Sequence, residues 1–209
     1  MQILSPGEDE TLLERVMTEL KRARHQDGTL DIPTLLCLPL LQSIFHEVMR
    51  LYVDVLISRD LDEDIILPLD DGKKLLLKKN SIVMVPSWVG HHDDTYWTDP
   101  PCEVFYAERF LKIDPETGKE IFTTSETAGK LYPFGGGKTM CPGRVFVKQE
   151  VLGCVAMILL TFEFEFVGFV DEDGKSKKDF PGVKKVYPGG GVTPADGDVK
   201  VKMRRRERS

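Results

Sequence analysis

Phe134-Gly-Gly-Gly-Lys-Thr-Met-Cys-Pro-Gly-Arg144 is the stretch on which the reading of this chain turns. It sets one cysteine, Cys141, in a glycine-rich loop that runs straight into an apolar segment with helical character from Arg144 onward. Three consecutive glycines bring no side chain to a core and cost backbone entropy, so they mark a place where the backbone lies against something flat or bulky. Gly143 permits a conformation that other residues resist, and Pro142 takes one N–H out of competition. Amides at the start of the following helix can point at the sulfur and favour its thiolate form. A thiolate beside a glycine-lined surface suits an axial ligand to heme iron.

Composition bounds the rest. The chain has 209 residues, 41% hydrophobic and 30% charged, enough for one sizeable core. A net charge of -6 argues against a general nucleic-acid binder. Cys37, Cys102, Cys141 and Cys154 form no Cys-x-x-Cys pair, so a zinc or disulfide framework is not expected and a reducing compartment is. The first ten residues carry no basic region or signal-type apolar run. The longest apolar stretch, Val151 to Phe162, is too short to span a bilayer, and the chain as written reads as soluble.

Outward from the loop, the chain divides into five parts. Residues 12–57 read as helices: one opens at Ser5 or Pro6 with Glu8, Asp9 and Glu10 behind it, and a longer one runs from Pro33 or Thr34 to about Ile57. Glu47 and Arg50 lie three apart on one face of the second helix. Residues 58–110 turn to short apolar runs, Ile65-Ile66-Leu67, Leu75-Leu76-Leu77 and Ile82-Val83-Met84-Val85, with Asp71-Gly72 as a hairpin signal. His91, His92, Asp93 and Asp94 would make a poor chelate, because neighbours in an extended segment point to opposite faces. Residues 111–133 are polar and loop-like. Residues 134–162 hold the cysteine loop and a helix apolar enough to pack in the core. In 163–209, Phe164 to Val170 and Val199 to Met203 alternate as edge strands do, and the arginine-rich end is a solvated tail.

The loop resembles the heme-binding signature of the cytochrome P450 superfamily, with Phe134, Gly137, Cys141 and Gly143 at its spacing. The Cys-Pro-Gly-Arg form is similar to the branch holding sterol hydroxylases, prostacyclin synthase and fungal metabolite oxidases. Thr139 departs from the pattern, which usually has Arg or His facing a heme propionate there. Glu47-x-x-Arg50, with its Leu-Pro-Leu-Leu-Gln-Ser lead-in, resembles the family's Glu-x-x-Arg helix. Ala107-Glu-Arg-Phe110 resembles the Pro-Glu-Arg-Phe element with alanine for proline, which makes Arg109 the third member of a buried triad. Arg59 stands where the family has a strand arginine that pairs with a propionate, and Val192 and Thr193 stand where a C-terminal loop reaches the substrate.

The resemblance implies a mainly α fold with small β-sheets, the C-terminal, heme-proximal part of that architecture without its long distal helix. It implies heme (iron protoporphyrin) as cofactor with Cys141 on the iron, and Phe134, Gly137, Gly143 and Arg59 lining its site. No catalytic residue beyond that ligand is expected in this portion. Implied partners are dioxygen, a hydrophobic small molecule such as a sterol or secondary metabolite, and an NADPH–cytochrome reductase docking near Lys138, Arg144 and Lys148. The implied location is the cytoplasmic face of the endoplasmic reticulum. The activity is monooxygenation. The alternatives are a non-catalytic heme-binding fragment and a thiolate-heme isomerase.

Overall fold

A computed structural model describes residue 3, residues 11–184 and residues 189–207. The helix start expected at Ser5 or Pro6 lies outside the described residues. In chain order the elements are α1 (Thr11–Arg22), α2 (Ile32–Leu35), α3 (Pro39–Tyr52), β1 (Val53–Asp60), β2 (Ile65–Pro68), β3 (Lys74–Leu77), β4 (Ile82–Pro86), α4 (Ser87–His91), β5 (Leu111–Ile113), β6 (Glu120–Phe122), α5 (Arg144–Thr161), β7 (Phe162–Val170), β8 (Ser176–Lys177), β9 (Gly190–Val192) and β10 (Asp198–Arg205).

Helix and strand contribute comparable numbers of residues, so the expectation of a mainly α chain is corrected to a mixed one with small antiparallel sheets. The reason is local. Only three long stretches carry helical periodicity without interruption, whereas Asp71-Gly72, residues 114–118 and Asp173-Gly174 break the rest into hairpins.

The long helix expected from Pro33 to Ile57 is two helices and a strand. Pro39 holds Leu38 in an extended conformation (φ -66°, ψ 117°), which separates α2 from α3. At the other end, Val53, Val55 and Ile57 are β-branched, and from Val55 onward they alternate with more exposed residues, so β1 begins directly after Tyr52. No side chain of Leu38 caps α3. Glu19 of α1 does so instead, accepting from Leu40 N (3.1 Å) and Leu41 N (3.0 Å).

The main core lies among α1, α2, α3 and α5, with Val16, Leu20, Leu35, Leu41, Phe45 and Ala156 buried. Each such leucine, removed from water, contributes roughly 1.5–3 kcal/mol. A smaller cluster gathers Trp97, Cys102 and Phe110. β1 runs between β4 and β9, and β7 between β10 and β8. The segment read as an edge strand, Phe164 to Val170, is therefore the middle of its sheet. Residues 111–133 hold the β5–β6 hairpin as well as loop, since the Asp114 side chain accepts from Glu116 N and Thr117 N and turns the chain.

The packing expected of the helix after Arg144 is also corrected. Only Leu152, Ala156 and Leu159 of α5 are buried, whereas Val145, Phe146, Val151, Met157 and Ile158 are exposed, Phe146 to 65%. α5 is apolar on nearly all sides, so a single supporting face in this chain leaves the other faces uncovered. No helix among the described residues is long and apolar enough to cross a membrane.

Candidate functional site

The site is built where β1, the glycine loop and the start of α5 meet. Gly135 and Gly137 take positive φ (76° and 64°), which only glycine adopts without strain, so the loop turns back on itself. It closes through Cys141 N, which donates to Phe134 O at 2.9 Å. The Arg144 N–H is directed at the Cys141 carbonyl (3.4 Å), one turn before α5 proper. Cys141 is exposed with a free thiol, as are Cys37 and Cys154, while Cys102 is buried.

β1 places one of its faces on this loop. The Ile57 Cγ1 lies 3.8 Å from where a Cβ on Gly135 would sit. Arg59, two residues on and on the same face, donates through Nη2 to Gly136 O at 2.6 Å. Side chains added at Gly136 or Gly137 would meet nothing within 4 Å. The Cys141 Sγ lies 3.7 Å from where a Cβ on Gly143 would sit, so the sulfur stands beside bare backbone, and the Arg59 guanidinium sits against the glycine run of the same loop. That donor set and the open glycine surface fit a planar, iron-bearing, anionic cofactor. Thr193 is tied down, its hydroxyl donating to Tyr52 O at 2.6 Å, and Val192 is 76% exposed.

Behind the loop lies a buried ionic network. Arg50 donates to both Glu47 carboxylate oxygens at 2.8 Å, and Arg109 Nε lies 3.0 Å from each. Tyr106 N adds a third donor to Glu47 at 3.1 Å. The remaining guanidinium donors reach backbone carbonyls of His91, Cys102, Val104, Pro100 and Pro101. The Glu47 and Arg50 side chains are 0% exposed. The network is satisfied, and it bolts α3 to the 100–109 segment.

Of the polar run at 91–94, His91, His92 and Asp93 each turn to different partners. His91 is wholly buried; Nδ1 faces Val53 O (3.2 Å) and Nε2 accepts from Tyr132 N (3.0 Å). Burial lowers it to about 4. His92 stacks on Trp88 with ring centroids 3.7 Å apart. Asp93 holds Lys130 at 2.5 Å, and the hydrogen bond from Lys130 followed by that from Thr95 brings its carboxyl down to about 2. His46 packs among Phe45, Phe110 and Phe122. Of the basic residues near the loop, Lys138 and Arg144 are exposed, while Lys148 is partly buried and donates to Gln42 at 2.5 Å.

Glu19, Gly90 and Tyr132 carry no signal in the sequence, and His91 reads there only as a candidate metal ligand. Nothing in their spacing reveals that a residue in α4 meets one forty-one positions later.

A family model, that of Cytochrome P450, matches residues 8–193. The chain belongs to the cytochrome P450 family. Among curated proteins it is 38% identical to "Cytochrome P450 monooxygenase calL" of Penicillium decumbens, over 84% of this chain and 32% of that protein. It is 34% identical to "Cytochrome P450 7A1" of Rattus norvegicus over 80% of this chain and 31% of the relative. It is 32% identical to "Cytochrome P450 monooxygenase efuG" of Hormonema carpetanum, over 98% and 40%. The chain thus spans about a third of the length of the curated relatives it matches.

Proposed function

We propose that this chain forms the heme-proximal part of a heme-thiolate monooxygenase, with Cys141 as the iron ligand and a hydrophobic small molecule as substrate. The observation that carries this is the exposed Cys141 thiol, which stands at the foot of α5 against Gly143, in the same loop whose Gly136 and Gly137 present open backbone. Bound heme would supply dioxygen activation, which thiolate donation promotes. The chain's own residues do the rest. Cys141 ligates, Arg59 offers a fork of donors to a propionate, Phe134 and the glycines line the heme face, and Glu47, Arg50 and Arg109 keep the support rigid.

The long distal helix is not among the described elements, and the uncovered apolar faces of α5 support a reading in which further polypeptide completes the pocket. A sterol is the substrate class suggested by the relative named "Cholesterol 7-alpha-monooxygenase" of Cricetulus griseus. A reductase would deliver electrons near Lys138 and Arg144, on the cytoplasmic side of the endoplasmic reticulum. The deciding experiment is the reduced carbon monoxide spectrum of the heme-loaded chain. A red-shifted Soret band lost in Cys141→Ser and kept in Cys37→Ser, Cys102→Ser and Cys154→Ser supports the ligand; survival in Cys141→Ser overturns it.

A further inference from the structure

We infer that His91, with Gly90 beside it, is a positioning residue: a clamp in α4 that holds Tyr132, and through it sets the glycine loop that carries Cys141. Two independent observations converge on Tyr132. Its backbone N–H donates to His91 Nε2 at 3.0 Å, and its ring lies so close over Gly90 that an added Cβ there would sit 2.5 Å from the hydroxyl and 2.7 Å from Cε1. The imidazole and phenol rings also touch, with centroids 5.3 Å apart.

The chain of bonds then leads to the cysteine. Gly135 N donates to Tyr132 O at 3.0 Å, and Cys141 N donates to Phe134 O at 2.9 Å, so the loop is strung from the clamped residue. On its other side His91 is fixed twice. Its carbonyl accepts from Arg50 Nη1 at 2.9 Å, and its Nδ1 faces Val53 O at 3.2 Å. One residue thereby links the Glu47–Arg50–Arg109 network to the loop.

The partners dictate the protonation state. Val53 O also accepts from Ser87 Oγ at 3.4 Å, but a carbonyl oxygen 3.2 Å from Nδ1 can only face an N–H there. The Tyr132 N–H can only face a lone pair on Nε2, and together these fit a neutral imidazole with its proton on Nδ1. Protonation would set an N–H against the Tyr132 N–H and release it. Burial is the largest influence and favours the neutral form; the Val53 carbonyl comes next and opposes it, His92 and Arg50 favour it, and Asp54 opposes it.

The consequence for the iron ligand rests on the proposed role of Cys141, but the first test involves no heme. In the unsubstituted chain, imidazole nitrogen chemical shifts should show the proton on Nδ1; a proton on Nε2 overturns the proposal and requires no variant to fold. His91→Gln sets an amide oxygen near the Nε2 position and keeps the acceptor for Tyr132, whereas His91→Asn keeps a donor for Val53 and loses it. Exchange of the Tyr132 amide should stay within roughly tenfold in the glutamine variant and rise roughly a hundredfold in the asparagine variant. Equal protection in both variants overturns the clamp. In heme-loaded protein, His91→Asn should broaden or deplete the thiolate-type carbon monoxide band while His91→Gln preserves it. Cys141→Ser should lose the band with Tyr132 still protected, which separates failure of the ligand from failure of the clamp.

Discussion

Arg109 places its Nε 3.0 Å from both carboxylate oxygens of Glu47, a residue sixty-two positions earlier in the chain. The pair is inside the protein, at 5% and 0% side-chain exposure, and Arg50 completes it from the same helix as Glu47. Removing one partner leaves a charge in the interior with no water to solvate it. Glu47→Ala and Arg109→Ala should each cost roughly 3–5 kcal/mol, read by chemical denaturation or by loss of soluble protein. The exposed pair Lys202–Glu165 is the comparison, and breaking it should change stability by less than about 1 kcal/mol.

The buried histidine sets the acid side of the stability profile. His91 is lowered from 6.5 to about 4, chiefly by burial. As pH falls below 6.5 the unfolded chain takes up the proton while the folded protein does not, so stability declines across that window and the decline from this group ends near 4. His46 is shifted the same way by burial and adds to the slope. His91→Gln should flatten the profile between 6.5 and about 4 relative to the parent. An unchanged slope would mean that His91 titrates in the folded state as it does in the unfolded chain.

Asp93 acts in a lower window with the opposite charge logic. Its carboxyl is lowered to about 2 by the hydrogen bonds from Lys130 and Thr95. Its contribution is present above 3.8 and disappears as pH falls through about 2. Asp93→Asn should therefore leave the slope from 6.5 to about 4 untouched, which distinguishes it from His91.

The helix cap at α3 should be measurable by itself. Glu19 accepts from the Leu40 and Leu41 amides. Glu19→Ala leaves both donors buried and should cost about 1–3 kcal/mol, whereas Glu19→Gln retains one acceptor and should cost less. Thermal melts of the two variants decide this.

Cysteine accessibility tests the loop directly. Cys37, Cys141 and Cys154 are exposed and Cys102 is buried. A thiol-alkylating reagent should modify the first three quickly, and heme loading should shield Cys141 alone, as mapped by mass spectrometry. Labelling of Cys141 at the same rate with heme present would contradict ligation.

The sequence by itself determined what depends on local chemistry. The glycine run and Cys-Pro-Gly-Arg were legible because turn conformation and helix entry are set by neighbouring residues. The hairpin at Asp71-Gly72 was legible for the same reason: β2 and β3 pair on either side of it. Glu47, Arg50 and Arg109 could be grouped only through resemblance, since nothing in the local pattern joins residues so far apart. Tertiary structure decided the rest. It ended α3 at Tyr52, because the backbone of the β-branched residues that follow pairs with β4 and β9 on either side of β1. It left most of α5 uncovered, because periodicity reports that a helix is apolar and not whether anything lies against it. It also brought His91 to Tyr132. A buried imidazole gains its meaning from the two partners that face its two nitrogens, and both come from other elements of the chain.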